Sequence, residues 1–270
     1  MSWPKQLFKF YLDASIHVAL AVVSLCWVSY KTLNIPLNFA LAGFIFCSTI
    51  VCYNFVKYGV EARKYFIVDK PYHKTIQIFS FLTFAIAVYF FLVLPRSLWL
   101  PIVILSLLSS LYAIPFLPNS KNLRSLGGLK IFLVAIIWVG FTVYLPLLEG
   151  EKFFDWDIGV LMFRRFVLIL LLILPFEIRD MHIDRPQLQT LPQRYGVQKT
   201  KKFGYFLVLT YGMTIFLIDE LSLATIVTHL VFALIVLVML LRTKETQSRY
   251  FASFWVEGIP ILMGIVFLFF

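Results

Sequence analysis

Charge is scarce in this sequence: 14% of its 270 residues are Asp, Glu, Lys or Arg, while 61% are hydrophobic. A water-soluble domain of this length has too little interior to hide so much apolar surface, which excludes soluble classes and makes lipid the solvent. Cysteine is scarcer still. Cys26, Cys47 and Cys52 are odd in number and fall inside apolar runs. They offer neither a disulfide framework nor metal-ligand spacing, and read as small hydrophobes. The first apolar run lacks a small-residue cleavage site and reads as an uncleaved helix rather than a signal peptide. No low-complexity tail, short-period repeat or soluble basic domain is visible. Nucleic-acid binding is therefore excluded as the meaning of the formal net charge of +10.

What the chain has instead is a series of apolar runs of spanning length, near residues 14–33, 37–56, 76–94, 98–118, 129–148, 158–178, 203–218, 222–241 and 254–270. They predict an all-α polytopic membrane protein of about nine transmembrane helices, with residues 1–270 forming a single transmembrane helical domain. The 203–218 and final runs are short. Lysine and arginine crowd the N-terminus and the second, fourth, sixth and eighth loops, whereas the opposite loops carry Glu149, Glu151, Asp155, Asp157, Asp219 and Glu220. That alternation predicts a cytoplasmic N-terminus and an extracytoplasmic C-terminus. A bacterial inner (cytoplasmic) membrane is the expected location. Attraction to anionic lipid or a phosphorylated substrate is a second reading of the basic excess.

The densest polar signal closes the sixth run: Pro175-Phe-Glu-Ile-Arg-Asp-Met-His-Ile-Asp184. Offsets of three and four residues put Glu177, Asp180 and Asp184 on one helical face, whereas His182 points elsewhere. Acids at a membrane boundary are costly to desolvate, so such a stripe suggests a metal, another cation or a polar substrate. Pro175 is expected to kink the helix and free carbonyls beside the acids. By parity, the second run ends on the same side with Asn54, Lys57, Tyr58 and Glu61, and the fourth with Tyr112, Pro115, Lys121 and Arg124. Carboxylates, amide, phenols and cations at an apolar interior suit a diphosphate carrying a hydrocarbon tail. Plainer readings exist for each: Lys57 and Glu61 at i and i+4 as an ion pair, Lys121 and Arg124 as membrane anchors, Arg164 and Arg165 as snorkelling side chains.

Arg179-Asp180-x-x-x-Asp184-Arg185, followed by Thr190-Leu191-Pro192 and Arg194-Tyr195-Gly196, resembles the second aspartate-rich motif of the UbiA superfamily of intramembrane prenyltransferases. The helix layout and Tyr112 with Pro115 ahead of a basic loop extend the resemblance over nearly the whole chain. It implies a UbiA-like bundle that transfers an isoprenyl group from an allylic diphosphate to an aromatic or other lipophilic acceptor. It further implies catalytic Asp180 and Asp184, and Mg²⁺ held by Asp180, Asp184 and Glu177. Diphosphate contacts are expected from Asn54, Lys57, Tyr58 and Tyr112, and from Lys121, Arg124, Arg179 and Arg194.

The chain departs from the family pattern in places. The first motif, Asn-Asp-x-x-Asp-x-x-x-Asp, would begin at Asn54, but its aspartate positions are Phe55, Tyr58 and Ala62. The spacing from Asp184 to Thr190 is one residue short, and the usual Gly before Thr is missing. Lys57 is expected to supply positive charge where the family uses a second ion, with Asn54 and Tyr58 as donors. The alternative is a non-catalytic scaffold or lipid-binding subunit, to which a protein partner belongs. A transporter is a third class, for which the two halves lack the expected symmetry.

Overall fold

The computed structural model describes residues 3–58, 71–113, 127–184, 188–219 and 222–269, and among these there is no strand. A backbone in hydrocarbon has no water to bond, and the helix satisfies its polar groups internally. The order is α1 (Trp3–Asp13), α2 (Ile16–Thr32), α3 (Phe39–Tyr58), α4 (Pro71–Val93), α5 (Arg96–Ala113), α6 (Lys130–Val139), α7 (Leu145–Glu149), α8 (Trp156–Asp180), α9 (Leu191–Met213), α10 (Leu223–Arg242) and α11 (Ile259–Val266). A π-helical turn, Gly140–Tyr144, joins α6 to α7, and another, Phe251–Val256, leads into α11.

Among the described residues each apolar run lies mostly on helix, but the expected count of nine spans is not reached by length and composition. Five stretches are long and apolar enough to cross a membrane, with α6 to α7 as one of them, and α1 with α2 would make a sixth. The stretches Arg96–Tyr112 and Phe251–Val266 are shorter. The basic first half of α9, with Arg194, Lys199, Lys201 and Lys202, cannot sit in hydrocarbon.

The sequence reading missed α1. It meets α2 at a 58° bend, where Ser15 takes the left-handed region at φ 62°. Its polar side stacks Lys9 Nζ over the Tyr72 ring at 4.7 Å, and its apolar side packs Phe8 on Tyr250 and Phe254. Asp13, at its end, accepts from Tyr72 Oη at 2.9 Å and from Arg249 at 3.0 Å. The helix therefore lies across the end of the bundle that carries the acidic stripe.

Two apolar clusters hold the rods together. One surrounds α8, with Leu168 and Leu174 against Ile131 of α6, Leu207 of α9, Leu240 of α10 and Ile259 of α11. The other gathers α2 to α5 and α7 around Tyr30, Leu41, Leu98 and Leu145. Gly204 sets the closest approach in the first: a Cβ there would lie 2.5 Å from Leu240 Cδ2 and 2.9 Å from Leu174 Cδ1. Gly204→Val is expected to lower stability by about 1–3 kcal/mol through overpacking. Gly212→Ala, where an added Cβ meets nothing within 4 Å, is expected to be neutral or slightly stabilising. Thermal unfolding in detergent compares the two.

Candidate functional site

The acids of the stripe sit at the C-terminal end of α8, where the helix dipole is itself negative. Lys130 sits at the start of α6, where the dipole is positive. Each placement is unfavourable locally, and together they cancel. Lys130 Nζ lies 2.8 Å from Glu177 Oε1 and 3.2 Å from Asp184 Oδ2. The lysine and Glu177 are almost fully enclosed, at 4% and 6% exposure. Burying the two carboxylates without that ammonium would leave charge unpaired in a low-dielectric setting. Lys130 is the residue of this cluster that the sequence did not single out, since it falls among the basic residues of the fourth loop.

Asp180 is held differently. Arg179 Nε donates to its Oδ1 at 2.7 Å and Nη2 to its Oδ2 at 3.0 Å, a fork between neighbouring residues. The same guanidinium reaches Ser253 Oγ at 2.9 Å, so α8 is tied to the turn before α11. The N-cap of α9 at Thr190, in an extended conformation, explains the rest of the motif. Gln193 Oε1 accepts from the Thr190 N–H at 3.0 Å, while its amide donates to the carbonyls of Met181 and Asp184 at 3.0 and 2.9 Å. Pro192 fits the first turn because a nitrogen there has no helical partner. Gly196, at φ 80° and ψ 160°, breaks α9 one turn later in a conformation that side chains resist. Gln193 therefore fixes the turn that aims Asp184 back at Lys130.

The remaining predicted residues divide. Lys57 and Tyr58 close α3, and both bond the last carbonyls of α1: Lys57 Nζ to Leu12 O at 3.1 Å and Tyr58 Oη to Asp13 O at 3.0 Å. Lys57 remains within Coulombic range of Arg179, with Glu257 beside both. Glu257, just before α11, adds an acid within Coulombic range of the ends of α3 and α8. Asn54 is fully buried: its Nδ2 donates to Ser80 Oγ of α4 at 2.9 Å, while its Oδ1 has no hydrogen-bond partner. Tyr112 is within Coulombic range of Lys130. Arg194 is exposed and stacks on the Tyr195 ring, its carbon 5.4 Å from the centroid; it is not brought to the carboxylates. Lys121, Arg124, Arg185, Pro115 and Glu61 lie outside the described residues. His182 bonds Glu245 at 2.9 Å, away from the stripe as expected. Helix α8 continues through Pro175, whose own carbonyl accepts from Gln247 Nε2 at 2.8 Å.

Among the described residues no cluster of three or more His, Cys, Asp or Glu side chains is arranged to hold a metal. Glu177 Oε2 is nevertheless buried without a hydrogen-bond partner, beside Asp184. An orphaned carboxylate oxygen is a ligand waiting for a donor or a cation. The donor set therefore fits one divalent ion at the α8 end. The described residues of α3 itself supply no carboxylate for a second ion; the acids nearest its end are Asp13, already bonded by Tyr72 and Arg249, and Glu257.

An apolar cavity of about 620 Å³ lies between α3, α4, α5 and α6, lined by Phe44, Tyr53, Phe91, Trp138 and Phe141. Trp138 Nε1 donates to Tyr53 Oη at 3.2 Å, and Tyr53 is within Coulombic range of Glu257 and Tyr112.

Superposition on known structures decides the architecture. A UbiA homolog from Archaeoglobus fulgidus bound to Cd²⁺ aligns with TM-score 0.66 at 12% identity, over 97% of this chain and 100% of that one. The same homolog bound to GPP and Mg²⁺ gives 0.63 at 12% identity, with coverage of 97% and 100%. This is the UbiA fold. A digeranylgeranylglyceryl phosphate synthase aligns with TM-score 0.59 at 14% identity, over 98% of this chain and 96% of that one. No protein-family model and no curated protein matches the sequence. Within the UbiA fold, then, this chain keeps acids at the end of α8 and carries a lysine, a tyrosine and a buried amide at the end of α3.

The Lys130 bridge has a measurable consequence. Lys130→Met should destabilise the protein by about 3–5 kcal/mol, since it strands two carboxylates. Adding Glu177→Leu to the same chain should restore part of that loss. Unfolding of the single and double variants in detergent checks both.

Proposed function

We propose that this membrane protein binds an isoprenoid diphosphate at the ends of α3 and α8 and transfers its prenyl group to a lipophilic acceptor in the bilayer. The observation that carries the reading is the buried Lys130–Glu177–Asp184 cluster at the end of α8, with Arg179 forked onto Asp180 beside it, in a bundle that also encloses an apolar, aromatic-lined cavity. Fixed cations and hydrogen-bond donors suit the diphosphate, and the aromatic-lined chamber suits its tail.

In the transfer, the allylic C–O bond breaks and its electron pair leaves with the diphosphate. An electron pair of the acceptor then forms the new bond to the allylic carbon, and the acceptor loses a proton. Arg179, oriented by Asp180, and Lys57, oriented by the α1 carbonyl, would donate to phosphate oxygens. Glu177 and Asp184 would hold Mg²⁺, which when bound neutralises negative charge developing on the diphosphate. Lys130 keeps those two carboxylates together and contributes a fixed positive charge. Tyr53 and Trp138 present aromatic faces suited to an allylic cation. The basic loops support a cytoplasmic position for this end, with the N-terminus on that side and a bacterial inner membrane as the setting.

A second reading is a non-catalytic UbiA-fold protein that binds the lipid diphosphate without turnover. It is favoured by the end of α3, where Asn54 is spent on Ser80 and Lys57 and Tyr58 on α1. Calorimetry with geranyl diphosphate in nanodiscs, alongside release of inorganic diphosphate, separates the readings. The proposal expects Mg²⁺-dependent binding and release, with affinity falling about tenfold or more in Arg179→Gln. It also expects release to cease in Asp184→Asn. Binding without release under any acceptor selects the second reading, and absence of binding contradicts both.

A further inference from the structure

The opposite end of the bundle holds a second cavity, of about 510 Å³, walled by α2, α8, α10, α11 and the segment before α8. Its charged lining is unlike the acid stripe: Lys31, Lys152, Arg164 and Arg165 face Asp155 and Asp157. Both carboxylates already serve the backbone. Asp155 caps α8 by accepting the Ile158 N–H at 2.8 Å, and Asp157 accepts the Asp219 N–H at 3.2 Å.

The two arginines are adjacent in sequence and lie about 13 Å along α8 from its start, well inside the apolar layer. Arg165 is 3% exposed, and its guanidinium donates to Leu25 O at 2.7 Å and Ser29 Oγ at 3.1 Å, both neutral acceptors on α2. Its charge is hydrogen-bonded but not compensated. Arg164, half-buried beside it, makes no hydrogen bond or ion pair among the described residues; the Asp157 carboxylate acts on it only at longer range. Two like charges buried side by side in a spanning helix repel each other and are costly without a counter-ion. Snorkelling does not account for them, because Arg165 is turned inward onto α2.

We infer that this cavity binds the phosphate group of an anionic amphiphile. Arginine forks match the paired oxygens of a phosphate, and Arg164 is the fork left open. Lys152, on the exposed segment at the mouth, adds a flexible cation at the entrance. Leu168, Phe232, Met263 and Phe267 form an apolar wall beside the cations, suited to hydrocarbon rather than to a bare ion. Exposed Phe153 and Trp156 flank the entrance, a composition that seats at a membrane surface. The inference does not rest on the proposed prenyl transfer, whose residues lie at the other end of α8.

Native mass spectrometry of the full chain in detergent tests it, with phosphatidic acid and phosphatidylcholine as probes. Wild type is expected to retain phosphatidic acid about tenfold better than phosphatidylcholine, and Arg164→Gln to lose that preference. Arg164→Lys should keep part of it, and Asp184→Asn all of it. Equilibrium dialysis with inorganic phosphate distinguishes the source: binding of phosphate alone, lost in Arg164→Gln, keeps the anion site and assigns it to the free ion. Equal retention of both lipids by wild type, with no phosphate binding, overturns the inference. Should Arg164→Gln fail to fold, Lys152→Gln on the exposed segment carries the test. A weaker phosphatidic acid preference in that variant supports the site, and an unchanged one overturns it.

Discussion

One buried ammonium organises the charged end of this bundle. Lys130 begins α6 and bridges Glu177 and Asp184, which lie at and beyond the end of α8. Without it, two acids would have to be either solvated or neutral at the edge of hydrocarbon, and the turn from 181 to 184 would have no reason to fold back. With it, Gln193 can staple that turn and Arg179 is free to bond Asp180. The arrangement also explains why one Glu177 oxygen remains without a partner: the lysine satisfies one side of the cluster and leaves the other open.

The helices were legible because hydrocarbon leaves the backbone few options, and apolar length is a strong signal. The acid stripe was legible because its spacing is helical, and the Thr-Leu-Pro sequel because N-terminal turns tolerate proline. Other features were hidden for physical reasons. Lys130 reads as a positive-inside anchor, and a cation at a helix N-terminus contradicts local preference, so only tertiary pairing reveals it. Asn54 carried the first-motif position, yet its side chain turns to Ser80 because a buried amide takes the nearest hydroxyl. Helix α1 is amphipathic and too short to register as a span, and its docking depends on Tyr58, Tyr72 and Arg249, all distant in sequence. Span number was the least secure expectation, since α9 mixes a basic half with an apolar one.

The two ends of α8 are electrostatic opposites. One carries acids neutralised in part by lysine and arginine; the other carries arginines that no carboxylate among the described residues pairs. In both, the protein accepts a locally unfavourable charge inside or beside the membrane, which is the usual mark of a polar ligand rather than of packing. The shared UbiA fold gives the rods and the chamber, while the charges at the end of α3 distinguish this chain from a two-cluster arrangement.

Ion stoichiometry tests this account most directly. Electron paramagnetic resonance of Mn²⁺ bound to the purified protein with a non-hydrolysable geranyl thiodiphosphate counts the metals in the complex. A single Mn²⁺ per chain, lost in Asp184→Asn and retained in Lys57→Gln, is the predicted result. Two coupled Mn²⁺ ions per chain, or none at saturating analogue, would contradict it.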